Sequence, residues 1–430
     1  MPSRFVLSHR IAETAVFCAA IAIMIALPKP VRAQPSVTDR SYFGMHIHSS
    51  LSGTPWPMVR FGSWRLWDAR VGWSRLEPQA GKWDFATLDK YVAMAALTRV
   101  EVLLPLGLTP GWASARPGER SHYDNGNAAE PEQIEAWRQY VRTVATRYKG
   151  RIYQYQIWNE VNDPKFYSGT AETLVQLTCE ARRILKEVDA ANILAGPSVT
   201  EVGRHLKWHE DFFKLGGGKC VDALTHHFYN TKDEPEGMVK KIRAVREVFA
   251  KFGVGNLPLW NTETGWLIGN DDGTPVAPGV FDANWKRFEA KDSDWLVARA
   301  LLLARGEGVE RFYWYSWDHK AMGLIEPTSR ALKPGAMAFD KIAEWLTGRV
   351  LMPCAAKNST WTCEVRFNGQ PHGWIAWSTT GAGVFEWAGS AASIQTELLN
   401  GTQTTISVRP NQPLKIDERP TLFRVMSSVN

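Results

Sequence analysis

The sequence predicts an α/β fold, a (β/α)8 TIM barrel with a small C-terminal all-β sandwich domain behind it. Three observations carry this expectation. From Tyr42 onward, eight strand-like runs alternate with helix-like runs over about 300 residues, which is the pattern of a barrel. Two of the runs, 155–160 and 259–263, are apolar and aromatic, and each delivers a glutamate at its end. After Arg349 the helical period stops, and short alternating runs between turns replace it. On this reading the chain divides into residues 1–33, 34–349 and 350–430. A doubly wound sheet is the rival architecture, but no glycine-rich phosphate turn follows the first strand.

Residues 1–33 read as a signal peptide. Arg4 and Arg10 supply positive charge, and 15–27 is apolar but short for a membrane span. Val31-Arg32-Ala33 sets small residues at positions −3 and −1 of a cleavage point before Gln34, with Glu13 a blemish. An uncleaved anchor is the alternative. The expectation is a secreted or periplasmic protein. The segment carries four basic residues and one acidic, so the formal charge of +6 falls to about +3 without it. No Lys/Arg-rich block lies elsewhere, so no nucleic-acid partner is implied.

In chain order the strands fall at 42–48, 63–68, 100–106, 152–158, 193–196, 221–227, 259–262 and 311–316. The run 100–106 is continuously apolar, as in a strand buried on both faces. Helices are expected at 84–98, 131–148, 171–188, 202–215, 237–252, 295–305 and 335–346. In the first, Phe85, Leu88, Tyr91, Val92 and Ala95 share one face; in the second, Ile134, Trp137, Val141 and Val144 do. Runs such as 363–367, 373–377, 384–387, 405–408 and 421–425 supply the sandwich. Cys18 leaves with the signal, and four cysteines remain. Cys354 and Cys363 flank a short hairpin and are expected to pair; Cys179 with Cys220 then follows by elimination. Four buried free thiols are the alternative. No Cys-x-x-Cys or His-x-x-x-His spacing points to a metal, and no cofactor is implied. The run 270–273 has some character of a Ca²⁺ loop, but it lacks the twelve-residue ligand spacing and reads as a turn.

Barrel active sites lie at the C-terminal strand ends. That rule gathers His46 and His48, Arg65 and Asp68, Asn159 and Glu160, His227 and Tyr229, Glu263, and Trp314 with Asp318. Two carboxyl groups at such a mouth suit glycoside hydrolysis, in which one group donates a proton while the other, ionised, attacks. Glu160 beside Asn159 suits the acid/base, with Asn159 on a sugar 2-hydroxyl. Glu263 suits the nucleophile, with Arg65 and Tyr229 near enough to keep it ionised. A loop salt bridge is the plain reading of either glutamate alone, but two at corresponding places argue against it. Trp112, after strand three, is a candidate sugar platform, and His46 either faces the mouth or is a core histidine. Glu77 reads as a structural salt bridge.

These residues carry a resemblance. Trp158-Asn159-Glu160-Val161-Asn162, with Phe166 and Gly169 following, resembles the acid/base motif of glycoside hydrolase family 39, to which the chain is most similar within clan A. The family usually has Pro where Val161 stands, a departure that touches loop shape rather than chemistry. Glu263 matches the nucleophile position. In 222–229, His227 and Tyr229 fit the strand-six pattern, and His226 does not. Trp314, four residues before Asp318, resembles the strand-eight tryptophan that floors the −1 sugar site. The segment 64–85 is also typical of the clan. The resemblance implies retaining hydrolysis of a poly- or oligosaccharide. Its rivals are an endo-β-glycanase of another clan A family and a non-catalytic carbohydrate-binding barrel. Sugar, linkage and oligomeric state are not specified.

Overall fold

The computed structural model describes Met1 and residues 34–276, 284–390 and 392–426. The signal-peptide reading of 1–33, with Cys18, lies outside the described residues except for Met1. Eight parallel strands form the barrel: β1 (Phe43–Met45), β2 (Ser63–Arg65), β3 (Glu101–Leu106), β4 (Gln154–Ile157), β5 (Ile193–Ala195), β6 (Leu224–His226), β7 (Leu259–Thr264) and β8 (Val309–Trp314). Their order is β5-β4-β3-β2-β1-β8-β7-β6. A parallel bridge between Ala195 and Ala223 joins the two ends, so the sheet closes on itself. Four of the strands, β1, β2, β4 and β6, are three or four residues shorter than the runs that predict them. Helices Ala86–Thr98, Ile134–Arg147, Ala171–Val188, Lys207–Lys214, Glu236–Lys251, Ser293–Gly306 and Pro334–Leu346 follow β2 to β8 in turn. The link from β1 to β2 has no helix.

Alternation along each strand sends one set of side chains into the barrel and the other to the helices. The inner set is layered. Leu103, Ala195, Ala223, Trp260 and Tyr313 fill the lower barrel. Above them sit polar side chains: Gln156 Nε2 donates to the hydroxyls of Ser198, Thr225 and Thr262 at 3.0, 3.3 and 3.1 Å. Gly44 faces inward on β1, where a Cβ would lie 2.6 Å from both Ser63 Oγ and the Tyr313 ring. The large ring of Tyr313 thus dictates a residue without a side chain opposite it.

The C-terminal region is a seven-stranded sheet covered by one hairpin-like pair, Gly383–Glu386 with Pro413–Ile416. Phe385, Trp387, Leu414 and Ile416 of the covering layer bury Ala376, Ile394 and Phe423 of the large sheet. The other face of that sheet, with Val365, Ile375, Trp377 and Leu422, joins the core of the barrel. Buried Arg299 crosses the seam and donates to the carbonyls of Ser378 and Glu418 at 3.0 and 2.7 Å. Cys354 pairs with Cys363, and Cys179 with Cys220, with Cα–Cα separations of 4.3 and 4.8 Å. The first closes the hairpin between Ala355–Lys357 and Thr360–Phe367. Among the described residues, no helix is long and apolar enough to cross a membrane.

Candidate active site

The two glutamates reach one mouth by different backbone devices. After β4 the chain takes left-handed conformations at Trp158 (φ 53°) and Glu160 (φ 37°). Such positions cost of order 1–3 kcal/mol each for a side-chain-bearing residue and persist only where the surroundings fix them. Here Trp158 N donates to Leu106 O at 2.8 Å and its Nε1 to Phe166 O at 2.6 Å. The indole turns outward onto Trp137 and Tyr167. Asn159 and Glu160 are thereby turned into the barrel. On β7 the device is a bulge: Asn261 pairs with Phe312 and Thr264 with Trp314, so Thr262 and Glu263 share the space opposite Tyr313 alone. The extra residue sends both Thr262 and Glu263 inward. Regular alternation would have aimed the glutamate at the helices.

Arg65 on β2 ties the site together and is fully buried. Its Nε donates to Gln156 Oε1 at 2.7 Å, Nη2 to Asn159 Oδ1 at 2.7 Å, and Nη1 to Glu263 Oε2 at 2.9 Å. Tyr229 OH donates to Glu263 Oε1 at 2.9 Å. His227 Nδ1 lies 2.8 Å from Glu160 Oε1 and 3.9 Å from Glu263 Oε1. Carboxylate oxygens of the two glutamates and a ring nitrogen of His227 all lie within 4.8 Å of one another. Two carboxylates and an imidazole are ligands of the kind that hold a cation. However, both oxygens of Glu263 already accept from Tyr229 and from a guanidinium, whose charge repels a metal.

The environments of the two carboxyls differ. Burial pushes Glu160 up to about 7, only partly opposed by Arg65. Glu263 is also pushed up by burial, against His227 and Arg65, which favour its charge. Burial drives His227 down to about 3, so its ring is neutral. Burial raises Tyr229 well above the ordinary phenol range, and the neighbouring Glu263 adds to this, so its hydroxyl stays a donor. The arrangement is one carboxyl that holds a proton near neutrality and one gripped by two donors.

The remaining candidates divide. Asn159 is buried, and its Nδ2 has no partner among the described residues, which leaves it open to a ligand. His46 is a core histidine: it is fully buried, contacts Thr262 O at 3.1 Å, and burial holds its pKa well below the ordinary value. Two expectations are corrected. Trp314 has no exposed face; its ring stacks on Trp266 at 5.8 Å and its Nε1 donates to Met322 O. Alternation explains this, since Tyr313 points inward and Trp314 therefore points out. Tyr315, the next residue, turns inward and takes the floor position. It packs on His46 and His48 at 5.0 Å and donates to Asp68 Oδ2 at 2.8 Å. Asp318 is a loop latch: it accepts from His48 N, Ser49 N and Thr54 Oγ1 at 2.8–2.9 Å. Trp112, by contrast, is exposed, with Nε1 donating to Glu77 O at 2.9 Å and its ring edge-on to Trp73. Glu77 is structural through hydrogen bonds from Trp73 Nε1 and Gly81 N, both 2.8 Å, rather than through a salt bridge. In the 270–273 turn, Asp272 accepts from the amides of Thr274, Thr328 and Ser329, a set of donors unsuited to a cation.

Besides Tyr315, two contributors escaped the sequence reading. Gln156 orients Arg65, and its signal was a glutamine inside a buried strand. Tyr123 joins Tyr315 on Asp68, and only the fold brings a residue of the 108–133 segment there.

A barrel with paired carboxylates at its mouth defines the class of glycoside hydrolases. The match is specific: residues 57–285, just over half of the chain, fit the model of glycosyl hydrolases family 39. The chain belongs to that family. Solved structures of similar fold include a family 39 glycoside hydrolase from Bacteroides cellulosilyticus WH2 (TM-score 0.65, 16% identity, 91% of this chain and 83% of that one). A monomeric beta-xylosidase from Caulobacter crescentus CB15 gives TM-score 0.61 at 15% identity over 92% and 98% of the two chains. At these identities the likeness concerns the fold. The curated Endo-1,4-beta-xylanase A of Thermotoga neapolitana is 33% identical over 84 residues, 19% of this chain. The match spans 8% of that relative's length.

Proposed function

We propose that the protein is a retaining glycoside hydrolase with Glu263 as nucleophile and Glu160 as acid/base. The observation that carries this reading is the close pair of carboxylates with unlike partners. An oxygen of each lies within 4.8 Å of the other, which supports the close spacing of retaining enzymes, roughly 5–5.5 Å between carboxyl groups, over the wider spacing of inverting ones. Glu263 attacks the anomeric carbon while Glu160 gives its proton to the leaving oxygen, and a glycosyl ester forms on Glu263. Glu160, now ionised, then takes a proton from water, which attacks the same carbon and releases the sugar with its configuration retained. Asn159 is positioned to donate through Nδ2 to a sugar hydroxyl, and Tyr315 to lie under the ring. The xylan-directed relatives make β-xylosides the first substrates to try. Two disulfides support export through an oxidising compartment, with residues 1–33 as the signal.

Glu160→Ala and Glu263→Ala are expected to lower turnover on the best aryl glycoside by several orders of magnitude while thermal unfolding stays cooperative. Near-wild-type activity in either variant would defeat the assignment.

A further inference from the structure

We propose that the cavity beside the catalytic mouth, between the loops after β2 and β3, is a subsite for a second sugar unit on the non-reducing side of the bond cut. The inference deepens the catalytic reading above and rests on it. The cavity holds about 200 Å³. That is below the ~300–1,000 Å³ of drug-sized pockets and suits one sugar ring. Trp67, Leu108 and Tyr123 supply apolar and aromatic surface, and Asp68, Arg70 and Ser74 supply polar groups.

The cavity adjoins the reacting centre rather than lying apart from it. Trp67 carries the Arg65 guanidinium 5.8 Å from its ring centroid. Asp68 accepts from Tyr123 on the cavity side and from Tyr315 on the catalytic side, so one carboxylate is the wall between them. Arg70 is exposed and held in a left-handed conformation (φ 57°). It forms no ion pair or hydrogen bond among the described residues. Its neighbour in the cavity, Arg75, is by contrast committed to Asp124 at 2.8 Å. Arg70 is therefore a donor free for ligand hydroxyls.

The position of Glu160 sets the direction. Its carboxyl leans to β6, on His227, and the segment behind it is fastened to the loop after β5 through Val161 N on Ser198 O and Asn162 Nδ2 on Thr200 O. The proton donor marks where the leaving group departs, over β4 to β6. The cavity over β2 and β3 lies across the mouth from it, on the glycone side. An enzyme that releases single sugars from a chain end has no use for space there. This one would bind a chain through its cut site and release units of two or more.

The test compares 4-nitrophenyl monoglycosides with the matching diglycosides, including the β-xyloside and β-xylobioside, on the full chain. Wild type is expected to favour the diglycoside at least tenfold in kcat/KM. Ser74→Trp fills the cavity and is expected to erase that preference while leaving the monoglycoside rate within about twofold. Arg70→Ala, a surface change that does not threaten folding, is expected to raise KM for the diglycoside alone. Equal kcat/KM for the two substrates in wild type, or a preference untouched by both substitutions, overturns the subsite. A wild type that hydrolyses neither kind of substrate overturns the catalytic reading itself and the subsite with it.

Discussion

Replacing Glu160 by Gln should make the protein more stable at pH 8 and change it little at pH 4. The folded-state carboxyl is raised from 4.5 to about 7 by burial. A group whose folded pKa exceeds its unfolded one holds its proton more tightly in the fold. Its stabilising contribution is fully present below about pH 4.5 and is lost as pH rises through about 7. With 14% of the side chain exposed, the ionised form costs the fold about 2–3 kcal/mol at pH 8. Glutamine keeps the shape and a hydrogen-bonding oxygen or nitrogen for His227 Nδ1, but carries no charge at any pH. Urea unfolding of wild type and Glu160→Gln, with disulfides intact, at pH 4 and pH 8 measures the difference directly. The variant should gain about 2–3 kcal/mol on wild type between the two conditions. A difference that is the same at both values, or one that favours wild type at pH 8, would refute burial as the source of the raised carboxyl.

The same logic gives two further expectations. Arg65→Met removes three buried donors and should cost about 3–5 kcal/mol at pH 8. The loss should shrink as the pH is lowered, because burial already raises Glu263 and the carboxyl, freed of its cation, takes up a proton more readily; a pH-independent loss below about 1 kcal/mol in urea unfolding would count against Arg65 as the tie of the site. Asp318→Ala leaves His48 N and Ser49 N without their acceptor, at about 1–3 kcal/mol. Amide exchange should then quicken at residues 48–54 while kcat/KM falls less than about fivefold; unchanged exchange there would remove the latch role.

The barrel was legible because alternation and helical period are properties of short stretches, and each predicted strand centre lies within an observed one or beside it. The two glutamates were legible because an acidic residue at the end of a buried aromatic run has few structural uses. What escaped depends on a single residue of register. Trp314 looked like the sugar floor by its resemblance to the strand-eight tryptophan of the clan, yet the inward place belongs to Tyr315, because Tyr313 already fills the barrel two residues earlier. The β7 bulge that aims Glu263 and the left-handed turns at Trp158 and Glu160 have no glycine to announce them. Asp318 and Glu77 show the same limit in another form. Glu77 reads as an ion-pair partner and Asp318 as a substrate contact at the mouth, whereas backbone N–H, hydroxyl and indole N–H groups, which no sequence pattern brings into view, are what hold these two.

The central claim is that Glu263 forms a covalent bond to the sugar. Incubation with a 2-deoxy-2-fluoro aryl glycoside of the preferred sugar slows release of the intermediate, and intact-mass and peptide mass spectrometry locate the adduct. The account predicts one fluoroglycosyl unit per chain, on the peptide containing Glu263, and no adduct in Glu263→Ala. An adduct on Glu160, or none while wild-type turnover of the parent glycoside proceeds, would contradict it.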